Sequence, residues 1–171
     1  MKLSRTVSII LLIVANIALD QISKVIVRAE VAKNEIIPIV GENFILTKVE
    51  NKGAFLGMGS ELGDSSRLIF LLILPIVVLG YVVYYIFKNK TLDRLSIIAF
   101  CCIIGGGVAN VFDRLVYGEV TDFFHINLGG VFKTGIFNVA DMSVSFGMIL
   151  LLVASFKHKK KESTESIEIE N

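Results

Sequence analysis

This 171-residue chain has little of what most soluble reactive sites are made from. Its two cysteines, Cys101 and Cys102, are adjacent and sit inside an apolar run, which excludes a disulfide framework and a cysteine-based metal site. Neither sign of charge dominates. Lys and Arg number 17 against 16 Asp and Glu, for a net charge of +1, so the basic field that nucleic-acid binding needs is missing. Charged residues make up only 19 % of the chain and hydrophobic ones 54 %, with a mean hydropathy of +0.72. That is too apolar for a soluble domain of this length and too apolar for a disordered one. No internal repeat is visible, and the length suits one domain. No small-x-small cleavage site and no lipobox cysteine follow the first apolar stretch. That stretch is therefore expected to stay in place as a membrane anchor, and the chain is not expected to be a lipoprotein itself.

What is abundant is long apolar runs. Four of them, at about 7–27, 68–87, 95–112 and 136–156, have 18 to 21 residues each. At about 1.5 Å per residue each matches the ~30 Å hydrocarbon core of a bilayer. Backbone polar groups in lipid must be bonded within the segment, so the runs are expected to be helices. Lys and Arg set the orientation. Positions 1–6, 88–94 and 157–161 hold nine basic residues in 18, whereas 24–67 and 113–135 hold eight in 67. Both termini and the 88–94 loop are thus expected in the cytoplasm, with the two long connections outside. The first connection, about 29–66, has short β-like runs around Gly41, Glu42 and Asn43 and predicts a small sheet at the membrane surface. The second, 113–135, is rich in glycine (Gly118, Gly129, Gly130, Gly135) and shows little periodicity. Residues 1–161 read as one domain, and 162–171 as a disordered cytoplasmic tail. Pro75 and Gly80 are expected to kink the second span.

Charges at bilayer depth cost about 2.5–3.5 kcal/mol on insertion scales, so polar residues within the spans mark function. Asn16, Asp20 and Lys24 recur at i, i+4 and i+8 and form one stripe, in which Asp20 and Lys24 can pair. Gly106, Asn110 and Asp113 share a face of the third span, and Gly105 with Ala109 lets another helix approach closely. Asn138, Asp141 and Ser145 share a face of the fourth. The third span runs outward and the fourth inward, so these polar groups meet near the outer surface, with Asp122 between them. Two carboxylates close together at low dielectric share a proton, which suits general acid–base activation of water against an amide. Spacing alone leaves Asp113, Asp122 and Asp141 all eligible, although Arg114 beside Asp113 favours a structural ion pair there. A Ser143 or Ser145 pairing with His125 has nothing to fix its geometry. One histidine among scattered aspartates is a poor zinc set, while an Asp-held Mg²⁺ stays open on residue type. The GGG run lacks a Walker lysine and a preceding strand, and so reads as packing. Other classes with intramembrane polar groups are an ion-coupled transporter, for which inverted repeats or broken helices would be expected, an Mg²⁺-dependent lipid transferase, and a non-enzymatic scaffold.

DQISK (20–24), NKGAF (51–55), NVFDR (110–114), VTDF (120–123) and FNVAD (137–141) stand in the order and spacing of the bacterial lipoprotein signal peptidases, or signal peptidase II, and the chain resembles that family from Asp20 to Asp141. The resemblance implies an α-helical membrane protein of four transmembrane helices with a small extracytoplasmic β-rich cradle. It implies an intramembrane aspartic endopeptidase of the bacterial cytoplasmic (inner) membrane. Such an enzyme removes signal peptides from prolipoproteins on the amino side of a diacylglyceryl-modified cysteine. By motif match Asp122 and Asp141 are the catalytic pair. Asp20, Lys24, Asn51, Gly53, Asn110, Asp113, Arg114, Asn138 and Ala140 are the supporting or substrate-lining positions. No metal and no organic cofactor is implied. The expected partners are lipid-modified prolipoproteins and membrane lipids, not nucleic acid, and the expected state is a monomer. Two departures, Ala109 in place of a Gly and Phe55 after Ala54 in place of a second Ala, bear on packing rather than on the acidic pair.

Overall fold

The computed structural model describes the backbone of residues 3–53, 63–129 and 132–170, with side chains up to Lys157. Ala54, Phe55 and Gly130 lie outside the described residues, as does the 54–62 part of the first connection. Helix α1 spans Arg5–Glu30, α2 Asp64–Lys88, α3 Arg94–Tyr117 and α4 Val139–Glu170. Strand β1 is Ile37–Val40, β2 Phe44–Asn51 and β3 Val120–Ile126. All four helices are long and apolar enough to cross a membrane, and most of their large apolar side chains face outward. In lipid such exposure carries no penalty, because hydrocarbon tails solvate them as well as a protein interior does.

Local sequence accounts for the helix ends. Ser4 caps α1, its hydroxyl accepting from the N–H of Val7 at 3.3 Å. Asp93 caps α3, accepting from Leu95 and Ser96 at 2.8 and 3.1 Å. Gly118 ends α3 in the left-handed region (φ 78°), its N–H returned to the carbonyl of Arg114 at 3.1 Å. The second span is irregular just before Pro75, while Gly80 lies in regular α-helix. Residues Leu68–Ile73 form a π-helical stretch. Pro75 has no N–H to offer the carbonyl of Leu71, four residues back, and the turn in front of it widens.

Helix packing follows the small residues of α3. A Cβ on Gly105 would lie 2.5 Å from Cβ of Asn16 and 3.1 Å from the carbonyl oxygen of Ile13, and one on Gly106 would strike the carbonyl of Ala140. The expected close approach at Gly105 is therefore with α1, while Gly106 admits the start of α4. At the end that carries the termini, Ile9, Ile86, Cys101 and Ile104 form a core cluster. The two cysteines are buried and unbridged. At the other end Val27, Val31 and Phe123 pack beneath the sheet.

The sheet is antiparallel in the order β1-β2-β3. Its third strand corrects the reading of 113–135 as merely irregular. Val120, Thr121, Phe123, Phe124 and Ile126 are strand formers, but Asp122 and His125 interrupt the alternation that would have announced them. A bulge between Leu46 and Val49 shifts the register, after which Val49 faces Asp122 and Asn51 faces Val120. The described α4 backbone runs to Glu170. No Pro or Gly follows Gly147, and Lys and Glu are good helix formers that extend an existing helix readily.

Candidate active site

The polar site is assembled where α1, α3, the start of α4 and the sheet meet. The first two turns of α4 are set by a reciprocal cap. The Asn138 side-chain oxygen accepts from the N–H of Asp141 at 2.9 Å, and an Asp141 carboxylate oxygen accepts from the N–H of Asn138 at 3.2 Å. This is a capping box in which Asp141 takes the part usually played by Glu or Gln. It ties the Asp141 side chain to the first turn of its own helix. From α1, Asp20 caps the same helix end, accepting from the N–H of Ala140 at 2.8 Å.

Each of the two carboxylates outside the ion-pair cluster accepts two amide N–H bonds. Asp122 on β3 accepts from Asn138 Nδ2 at 2.6 Å and from Asn51 Nδ2 at 2.8 Å. Asp141 accepts from Asn110 Nδ2 at 2.9 Å and from the backbone of Asn138. Asn138 thus touches both, its side chain on one carboxylate and its backbone on the other. The amide orientations follow from their other partners. Lys24 only donates, and its Nζ lies 2.8 Å from the side-chain oxygen of Asn110, so the Asn110 nitrogen must face Asp141. Likewise the N–H of Gly53 holds the Asn51 oxygen at 2.8 Å and leaves the Asn51 nitrogen for Asp122.

Lys24 is the centre of a buried ion cluster. Its ammonium group lies 2.7 Å from Asp20 and 2.8 Å from Asp113, and all three side chains are fully buried. Arg28 adds a second cation 3.1 Å from Asp113, and Gln21 donates to Asp113 at 3.0 Å. Asp113 is thus a structural ion-pair member, as its neighbourhood suggests, but its partners are Lys24 and Arg28 on another helix and not the adjacent Arg114. A residue one step along a helix points to a different face. Arg114 instead donates to the carbonyl of Gly53 at 2.7 Å and that of Asn110 at 3.2 Å, tying the end of β2 to α3.

Asp122 lies on β3, beyond the helical spans, and is 2 % exposed. Burial pushes its carboxyl up to about 7, with the Asp141 charge adding to the rise and the Asn51 and Asn138 bonds opposing it. A group that holds its proton near neutrality beside a second carboxylate has the makings of an acid–base pair.

With this geometry in place, comparison with known proteins is informative. The sequence matches the family described as Signal peptidase (SPase) II over residues 12–157. This chain belongs to the signal peptidase II family. Among its relatives is the lipoprotein signal peptidase of Brevibacillus brevis, 36 % identical over 145 residues, covering 85 % of this chain and 92 % of that one. That of Syntrophus aciditrophicus is 29 % identical over 157 residues, covering 91 % and 97 %. A bacterial membrane enzyme solved by the in meso method at 2.3 Å has the same fold, with a TM-score of 0.79, 28 % identity and 90 % coverage of each chain. Membership of the signal peptidase II family makes the chain a protease and a multi-pass membrane protein.

Within this signal peptidase II chain the eleven positions assigned by motif match, Asp122 and Asp141 with the nine supporting ones, fall in the cluster or beside it. Asn16 does not. Its amide donates to the carbonyl of Leu12 at 2.8 Å and its oxygen accepts from Ser143 at 2.5 Å, a tie between α1 and α4 away from the acids. The Ser143 hydroxyl also lies 3.0 Å from the carbonyl of Cys102, and His125 lies on β3 beside the carbonyl of Gly135, so these two do not form a pair. Two residues went unnoticed in the sequence. Arg28 continues the i, i+4 stripe of Asp20 and Lys24 by one more step, a signal that was there to use. Gln21 lies off that stripe and had none.

Proposed function

We infer that the chain is an intramembrane aspartic endopeptidase that removes signal peptides from prolipoproteins, cutting on the amino side of a diacylglyceryl-modified cysteine, with Asp122 and Asp141 as the catalytic pair. The observation that carries this reading is that a single residue, Asn138, bonds both carboxylates, so that they sit side by side at one end of the bundle. Near neutral pH the pair holds one proton between two carboxyl groups. The ionised member takes a proton from water, and the resulting hydroxide adds to the scissile carbonyl carbon. The protonated member gives its proton to the carbonyl oxygen. A proton then returns from the first carboxyl to the amide nitrogen, the C–N bond breaks, and the second carboxyl recovers its proton from the diol. Asn51, Asn110 and Asn138 hold the acids in place with N–H donors that need not reorient. Lys24 holds Asn110, while Asp20, Asp113 and Ala140 brace α1, α3 and α4 around it. Arg114 and Gly53 hold the rim on which Asn51 sits.

The Lys and Arg content of the short loops supports a topology with both termini in the cytoplasm and the acids near the outer face of a bacterial inner membrane. A substrate that is itself an apolar helix with a lipid attached arrives laterally, from within the bilayer. The reading calls for a monomer and for neither metal nor organic cofactor.

The test is the purified protein in detergent with a lipid-modified and an unmodified precursor, with and without a chelator. Cleavage of the modified precursor alone, unaffected by chelation, is expected. Activity that vanishes with chelator and returns with Mg²⁺ would instead mean that aspartates hold a metal. Equal cleavage of both precursors would remove the lipid requirement.

A further inference from the structure

Next to the carboxylate pair, at the same end of the bundle, lies a second cavity of about 230 Å³. Its polar wall is made of Lys52, Arg67 and Arg114, with Asp64 at the mouth. Asp64 is fully exposed and lies 3.5 Å from Arg67, an open pair that water screens, so among the described lining residues three cations stand against one solvated carboxylate. Arg114 spends its two terminal nitrogens on the carbonyls of Gly53 and Asn110. Its Nε is buried and has no hydrogen-bond partner among the described residues. The apolar part of the lining is Leu68, Leu71 and Leu72 at the first turns of α2. Leu68, Ile69 and Phe70 are each at least half exposed, so the cavity adjoins the lipid-facing surface where α2 enters the membrane.

Cations and lipid-facing leucines lining one cavity, at the level where a span emerges, match a particular amphiphile. We propose that this cavity binds the phosphate of an anionic phospholipid from the adjoining leaflet, with Lys52, Arg67 and Arg114 around the phosphate and the acyl chains running down over the leucines of α2. Guanidinium groups suit a phosphate diester, offering several N–H donors in a fixed plane. A free anion would use the cations but not the leucines, which is why a lipid is the better occupant. Through Arg114 the bound phosphate would be linked to Gly53, whose N–H orients Asn51, which in turn bonds Asp122. The lipid would thus brace the rim of the acidic site without entering it. This inference requires the membrane setting but not the peptidase reading.

The experiment is a titration of the purified full chain in neutral detergent with short-chain phosphatidylglycerol, phosphatidylcholine and inorganic phosphate, following the thermal unfolding midpoint. Phosphatidylglycerol is expected to raise the midpoint saturably, and phosphatidylcholine and millimolar inorganic phosphate to leave it unchanged. Replacing two of the three cations, in Lys52→Gln/Arg67→Gln, is expected to weaken phosphatidylglycerol binding roughly thirtyfold. If the double variant does not fold, Lys52→Gln alone changes an exposed side chain and is expected to weaken binding about fivefold. An unchanged phosphatidylglycerol affinity in the folded variant overturns the site. An equal shift from inorganic phosphate overturns the lipid in favour of a free anion. The readout uses no peptide substrate, so a failure of the proteolytic reading would leave it intact.

Discussion

Asp122→Asn is expected to make the protein inactive and, at neutral and alkaline pH, more stable. In the folded chain the Asp122 carboxyl is raised from 3.8 to about 7, chiefly by burial. The folded state therefore holds a proton that the unfolded state has lost across that interval, and stability falls as pH rises through it. Below 4 the group is neutral in both states and the penalty is absent. Above 7 it is ionised in both and the penalty is complete. About three pH units at ~1.4 kcal/mol each set that penalty at roughly 4 kcal/mol. Asparagine carries no charge to bury. It keeps an oxygen for Asn138 but turns its own NH2 group toward that of Asn51, forfeiting a bond of about 1 kcal/mol. The net gain is about 3 kcal/mol at pH 8, and near pH 4, where only the lost bond remains, the variant is about 1 kcal/mol less stable than the parent. Unfolding in mixed micelles by dodecyl sulfate titration at pH 4, 6 and 8, on both proteins, gives the difference directly. The reasoning is refuted if the variant is no more stable than the parent at pH 8, or if their difference is the same at all three pH values.

Two further substitutions probe the support around the pair. Lys24→Met leaves Asp20 and Asp113 buried without their shared cation and frees the Asn110 amide to turn. It should lower stability by about 3–5 kcal/mol in the same unfolding assay, and Lys24→Met/Asp20→Asn should recover part of the loss. Gly106→Ala drives a methyl group into the carbonyl of Ala140, where a backbone cannot yield as a side-chain tip would. It should cost about 1–3 kcal/mol and reduce turnover by displacing the start of α4, whereas the same change at Gly80, where a Cβ meets nothing within 4 Å, should be silent on both measures.

Much of this arrangement is legible in the chain, because membrane spans and motif spacing are local signals. Apolar runs long enough for a bilayer mark the four helices, and polar residues that lipid would reject mark the site. What spacing cannot tell is which neighbour a helix face meets. Asp113 could be seen to need a cation, but that the cation is Lys24 of α1 depends on how closely Gly105 lets the two helices approach. Strand β3 escaped notice because its polar residues, Asp122 and His125, break the apolar alternation that identifies strands. The bulge at Leu46–Val49, which sets Asn51 within reach of Asp122, has no pattern of its own in the sequence. Asn138 was visible as one polar residue on a face. That it would bond both acids, one by its side chain and one by its backbone, required the capping box at the start of α4 and the sheet above it.

The most direct measurement is single-turnover cleavage of a lipid-modified precursor by folded Asp141→Asn beside the parent enzyme. Asparagine at 141 can neither take a proton from water nor return one to the departing nitrogen, so cleavage should fall to the uncatalysed background while the thermal midpoint shows an intact fold. Turnover near that of the parent would mean that the acid pair at Asn138 does not carry out the hydrolysis.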